Sequence, residues 1–243
     1  MQKYFFIKLS SKFSKKEVIL ITAYQLKILG VILMVLDHIG YIFPSLSISI
    51  YLRIAGRIVA PIFFYLLVEG FFYTSDRKKY SNRLLIFAIL MSIGNLFLMV
   101  VFKQPNIKLI NPNIFLSMFL AFKILEFLEN IKYDWGSLNT IYLIMYIMLS
   151  LYSEGSTYGV FMVVIFYYFR NNKSLKLLIY VVVSIIICTA KGVVIQKAMV
   201  FAFIPIMFYN GQKGSGKLNH KYFFYWFYII HLWVLILISI ITK

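Results

Sequence analysis

The chain has 243 residues, of which 62% are hydrophobic and 19% aromatic while only 14% are charged, a balance that excludes a water-soluble domain, where roughly half apolar and a quarter charged is usual. The formal charge of +17 comes from 25 Lys and Arg against 8 Asp and Glu. In a soluble chain that surplus would point to nucleic acid; here it sits in short clusters between long apolar runs, where the anion it faces is a lipid headgroup or a charged cofactor, not nucleic acid.

Residues 1–17 mix Tyr4, Phe5, Phe6, Ile7 and Leu9 with five lysines, the pattern of a basic amphipathic segment lying on an anionic leaflet. No long apolar run followed by a small-residue cleavage site marks them as a signal peptide. Residues 18–243 read as one membrane-embedded unit. A helix needs roughly 20 residues to cross a hydrocarbon core, and spans are expected at 18–43, 54–74, 84–102, 113–128, 138–152, 158–170, 175–190, 193–209 and 222–241. The break Ser153-Glu154-Gly155-Ser156-Thr157 divides one long apolar stretch into two of these; a single tilted helix is the alternative. The expected fold is an all-α polytopic membrane protein, a single bundle of about nine transmembrane helices.

Orientation follows from the cationic loops. With the N-terminus cytoplasmic, sixteen Lys and Arg fall in inside segments and seven at outside ends. This assigns the clusters around Arg77, Lys78, Lys79 and Arg83, around Arg170, Lys173 and Lys176, and around Lys213 and Lys217 to the cytoplasmic side.

An ionisable side chain inside a span is costly and therefore a functional candidate. The first span carries Lys27, Asp37 and His38. Lys27 and His38 differ by some 20° around the helix and stand roughly 16 Å apart along it, so they share a face. Asp37 points about 100° away from His38 and wants a cation from another helix; Arg53 and Arg57 lie at comparable depth. An interhelical ion pair with a hydrogen-bonded His38 accounts for these residue types as well as catalysis does. His231 reads as a satisfied core histidine. Glu69, near the cytoplasmic end of its span, has Arg77 or Lys78 as expected partner. Cys188 is the single cysteine, which excludes a disulfide, and no thiolate-stabilising neighbour is evident. The histidines at 38, 220 and 231 lack paired-ligand spacing, so no metal is expected. Two loops carry lysines and, in the second, glycines that suit phosphate: Arg77-Lys78-Lys79-Tyr80 with Arg83, and Tyr209-Asn210-Gly211-Gln212-Lys213-Gly214-Ser215-Gly216-Lys217. For each alone a topogenic basic loop is the simpler reading.

The run Leu26-Lys27-Ile28-Leu29 through Leu36-Asp37-His38-Ile39-Gly40 resembles the opening of the TraX family of membrane proteins. The likeness continues through Arg53-Ile54-Ala55-Gly56-Arg57 to Pro61-Ile62-Phe63, Glu69-Gly70-Phe71 and Arg77-Lys78-Lys79-Tyr80, and returns at Tyr158-Gly159, Tyr209-Asn210-Gly211 and Phe224-Tyr225 through His231-Leu232. Residues 95–150 match loosely, and Ile230 stands where the family pattern tends to have proline. That family in turn looks like a branch of the integral-membrane acyltransferases, in which a basic residue and a histidine some ten positions later share the first helix; Lys27 and His38 are similar, with lysine for the commoner arginine.

The resemblance implies a bacterial plasma-membrane acetyltransferase that moves an acetyl group from acetyl-CoA to the N-terminal amine of a small exported or membrane peptide such as a pilin. A glycan or lipid hydroxyl as acceptor, a transporter, and a non-catalytic assembly partner are the alternatives. On this reading His38 is the general base, Asp37 supports its imidazolium directly or through Arg57, and Arg53 or Arg57 faces the developing oxyanion. Lys27, with Arg77, Lys78, Lys79, Arg83, Asn210, Lys213 and Lys217 in the loops, holds the donor's phosphates.

Overall fold

The computed structural model describes residues 20–102, 113–131, 136–151, 156–190, 194–215 and 222–242. The expected basic segment 1–17, Lys217 and His220 lie outside them. The regular elements are helices: α1 (Ala23–Ile42), α2 (Ser49–Gly56), α3 (Val59–Tyr73), α4 (Arg77–Val101), α5 (Ile114–Asn130), α6 (Ser137–Leu151), α7 (Ser156–Tyr168), α8 (Lys173–Ala190), a 3₁₀ helix (Val194–Ala202), α9 (Phe203–Met207) and α10 (Phe223–Ile241). Each expected span corresponds to one helix or to two in succession. By length and composition α1, the α2–α3 pair, α4 and α10 can each cross a membrane. Their outward positions, such as Ile93, Phe97 and Val100 on α4, are exposed and apolar, which suits hydrocarbon and not water.

Local chemistry sets the helix ends. Thr22 caps α1 in a reciprocal box with Gln25, satisfying amides that the first turn leaves without partners. Asp76 caps α4 by accepting from the Lys79 amide at 2.8 Å, so this helix begins at Arg77, seven residues before the expected 84. Asn113 caps α5 in the same way.

Two expected spans differ in form. The second begins at Ser49 and is broken at Arg57 and Ile58. Pro61 explains the break: it has no N–H for the Arg57 carbonyl four residues back, and its ring crowds that carbonyl. The eighth span is 3₁₀ over most of its length and turns α-helical only at Phe203.

Helix α3 is the centre of the bundle. It is mostly buried between Pro61 and Phe71, with Ile62, Leu67 and Phe71 fully covered, and it packs against α1, α5, α7 and the 3₁₀ helix. Helix α1 is gripped by α2, α3 and α10. The α1–α2 hairpin is tight because Gly40 faces α2: a Cβ there would stand 2.5 Å from the Ser49 carbonyl oxygen and 3.0 Å from Leu52 and Arg53 side-chain carbons. Backbone cannot retreat as a flexible side chain can. Gly40→Ala is therefore expected to cost about 1–3 kcal/mol through overpacking, read as a fall of several degrees in the Tm of detergent-solubilised protein. An unchanged Tm would mean that this hairpin is looser than its geometry requires.

Candidate active site

Helices α1, α3 and α10, closed by parts of α4, α5, α7 and the 3₁₀ helix, enclose a cavity of about 890 Å³, toward the upper end of the usual range for small-ligand pockets. Asp37, His38 and Arg57 line one end; Lys27, Glu69, Arg83 and Lys213 line the other. Between them the wall is apolar and aromatic, with Met34, Phe63, Phe115 and Met118 among its members. Lys27 and His38 thus face one chamber, as their shared helical face requires.

At the first end the Arg57 Nη2 bonds both Asp37 carboxylate oxygens, and its Nε donates to the Arg53 carbonyl at 3.2 Å. The two side chains are only 17% and 16% exposed. Gly56 makes the approach possible, since any Cβ on it would collide with the Asp37 side chain. The Pro61 break then turns Arg57 toward α1. Arg53 goes elsewhere: its guanidinium lies 4.7 Å from the Tyr41 ring centroid, and it does not line the cavity. Of the two arginines, Arg57 is the one paired with Asp37 and facing the chamber.

His38 is 6% exposed, and its Nδ1 lies 2.8 Å from the Nε2 of His231 on α10. The rings stack at 5.0 Å between centroids. His231 Nδ1 is 2.7 Å from the Phe227 carbonyl oxygen. A carbonyl only accepts, so His231 Nδ1 carries a hydrogen and, with the ring neutral, its Nε2 accepts; His38 Nδ1 is then the donor. The lone pair of neutral His38 falls on Nε2, the atom left to receive a proton. Tyr228 packs edge-on against both rings, at 5.9 Å and 5.6 Å. His231, a core histidine by residue type and part of the family resemblance, is thereby brought to His38 across 193 positions of sequence.

At the second end Lys27 lies 5.6 Å from the Phe224 ring centroid. The loop after α9 is strapped to the start of α1: Ile21 N–H donates to the Phe208 carbonyl, Asn210 N–H to that of Ile21, Ala23 N–H to that of Gln212, and Tyr24 N–H to that of Lys213. Asn210 accepts the Gln212 amide on its side-chain oxygen at 2.9 Å. Asn210 therefore shapes the loop, which delivers Tyr209 and, as its charged member, Lys213 to the cavity.

The Arg77–Arg83 cluster is divided. Arg83 lines the cavity, with its guanidinium 5.2 Å from the Tyr80 ring centroid. Arg77 lies 4.0 Å from the Phe71 ring and donates to the Phe71 carbonyl. Lys78 and Lys79 are exposed, and Lys79 pairs with Asp76 at 3.2 Å. The Lys79 backbone amide, then its ammonium, hold the Asp76 carboxyl below the usual carboxylate range. Glu69 does not pair with Arg77 or Lys78 as expected; its partner is Arg170, at 3.5 Å, because the turn after α7 folds over the end of α3. Among the described residues no group of three His, Cys, Asp or Glu is placed to hold a metal.

The family model described as "TraX protein" matches residues 22–239. The chain is 26% identical over 230 residues to a "Probable fimbrial assembly protein FimC, serogroup H1" from Dichelobacter nodosus, covering 87% of this chain and 93% of that one. It is also 36% identical over 103 residues to "Uncharacterized protein RP591" from Rickettsia prowazekii (strain Madrid E), 41% of this chain and 36% of that protein. No solved structure matches.

The Asp37–Arg57 pair is testable on stability alone. Asp37→Asn strands a poorly solvated guanidinium and Arg57→Gln a carboxylate, so each is expected to destabilise by about 3 kcal/mol or more. The double variant should recover part of that loss, with a coupling of about 1–3 kcal/mol in a denaturant titration of nanodisc-embedded protein. Strictly additive losses would contradict a direct pair.

Proposed function

This chain belongs to the TraX family, and on that premise we propose that it is an integral-membrane acetyltransferase of the bacterial plasma membrane, taking acetyl-CoA as donor. The observation that carries the reading is the single cavity running from Lys27, Arg83 and Lys213 to His38. Its two ends match the two ends of the donor. Phosphates suit the lysines and arginine, and the acetyl thioester, one extended pantetheine arm away, suits a histidine roughly 16 Å further along the same helix.

In this mechanism the acceptor nitrogen attacks the thioester carbonyl carbon and gives its proton to His38 Nε2. Charge develops on the carbonyl oxygen, toward which Arg57 presents its Nη1 donors, the ones not engaged by Asp37 and Arg53. The carbon–sulfur bond then breaks, and the departing thiolate takes the proton from the imidazolium. His231 is the positioning residue: by accepting from His38 Nδ1 it keeps the lone pair on Nε2 and supports the positive ring. Asp37 acts through Arg57, whose orientation it holds.

The proposed acceptor is the free N-terminal amine of a small exported or membrane-inserted peptide, in keeping with the fimbrial-assembly name of a relative. With the N-terminus of the chain cytoplasmic, as the cationic loops favour, the donor enters from the cytoplasm and the acceptor meets it near the outer boundary.

His38→Ala is expected to lower the rate of acetyl transfer by about 10²–10⁴-fold while acetyl-CoA still binds, because a base acts in the transition state. Near-full activity in that variant would remove His38 from the mechanism. For sidedness, proteoliposomes are loaded with acetyl-CoA inside and given peptide outside. Acetylated peptide is expected in the outer volume; product formed only when both substrates share one side would overturn the two-sided geometry.

A further inference from the structure

Beside the basic end of the cavity stands a second group of cations that the mechanism above does not use. Arg170, in the turn after α7, pairs with Glu69 and lies over Phe72 and Tyr73, 4.2 Å and 5.3 Å from their ring centroids. Lys173 donates to the Tyr209 carbonyl at 2.9 Å. Lys176, one turn further into α8, is 4% exposed and sits 4.9 Å from the Tyr65 ring centroid. Three cations thus stand within one turn and the helix it leads into, and of them Arg170 is the one paired with a carboxylate, Glu69.

Lys176 is the buried member of this group, beside a partly exposed Arg170 and an exposed Lys173, and a buried cation is costly unless an anion completes it. The cluster borders the chamber without lining it. Glu69, Tyr73 and Tyr209, which it touches, all line the cavity, and Tyr73 is 66% exposed, so this is the mouth. Coenzyme A carries phosphate at two places along its length: a diphosphate next to the pantetheine arm and a phosphomonoester on the ribose beyond it. With the thioester at His38, the diphosphate reaches Lys27, Arg83 and Lys213, and the phosphomonoester falls outside them.

We propose that Arg170, Lys173 and Lys176 form a phosphate subsite at the cavity mouth, which takes the ribose phosphomonoester of coenzyme A. This rests on the acetyl-CoA reading above. Arg170 supplies planar paired donors on an aromatic seat, and the two lysines supply charge. Glu69 holds Arg170 in place without cancelling the cluster. The phosphate of an anionic lipid offers the same chemistry from the membrane side, and the experiment separates the two sources.

Binding of coenzyme A and of dephospho-coenzyme A, which lacks only the phosphomonoester, is measured by calorimetry with the full chain in phosphatidylcholine nanodiscs. The intact protein is expected to prefer coenzyme A by about 10-fold or more, the scale of charge-assisted hydrogen bonds. Lys176→Met, and separately Lys173→Met, should weaken coenzyme A about 10-fold and leave dephospho-coenzyme A unchanged, so the preference collapses. The unchanged dephospho affinity also certifies that the variants are folded. Equal binding of both compounds by the intact protein, or a preference that survives in the variants, overturns the subsite while leaving the donor reading standing. Failure to bind either compound overturns the donor reading itself. Native mass spectrometry of detergent-purified protein covers the other source: an anionic phospholipid retained by the intact chain and lost in Lys176→Met, with no change in coenzyme A preference, assigns the cluster to lipid and overturns the proposal.

Discussion

One ion pair organises the functional end of this bundle. Asp37 and Arg57 each carry a charge that a poorly solvated, largely apolar site does not tolerate alone. Their contact requires Gly56, because any side chain there would occupy the space of Asp37. It also benefits from the helix break that Pro61 imposes at Arg57. With those three features in place, α1 and the α2–α3 elbow are locked together, and His38 is carried to the end of the cavity with one ring nitrogen facing α10.

The second constraint is the chain of hydrogen bonds from the Phe227 carbonyl through His231 to His38. It converts a backbone feature of α10 into the tautomer of a histidine on α1. Since α10 ends the described chain and α1 begins it, this bond ties the two ends of the fold around the chamber. The strap of backbone bonds between Ile21–Tyr24 and Phe208–Lys213 does the same at the basic end, where it brings Lys213 into the chamber that Lys27 already faces.

Much of this was legible from sequence, because membrane helices announce themselves by apolar length and their few charges stand out. Lys27 and His38 share a face by helical arithmetic alone, and the structure places both on one cavity. What sequence could not carry was contact between distant segments. His231 on His38, Arg170 on Glu69, and the choice of Arg57 over Arg53 all depend on how helices cross, which spacing along one helix does not encode. The start of α4 and the break in the second span had local signals, Asp76 and Pro61; a search for apolar length alone passes over both. The glycine loop around Asn210 looked like a phosphate cradle, yet the amides of Asn210 and Gln212 and the carbonyls of Gln212 and Lys213 are used within the protein, and the charged side chain the loop adds to the cavity is that of Lys213.

On the proposed function, one chamber serves a donor whose charged end and reacting end are far apart. The most direct measurement is a cryo-electron microscopy map of the protein in a nanodisc with a thioether analogue of acetyl-CoA that cannot transfer its acyl group. The account predicts the analogue's carbonyl at the His38 Nε2 and Arg57 end of the cavity and its diphosphate among Lys27, Arg83 and Lys213. Density for the analogue outside this chamber, or lying with its phosphates against Asp37 and Arg57, would contradict it.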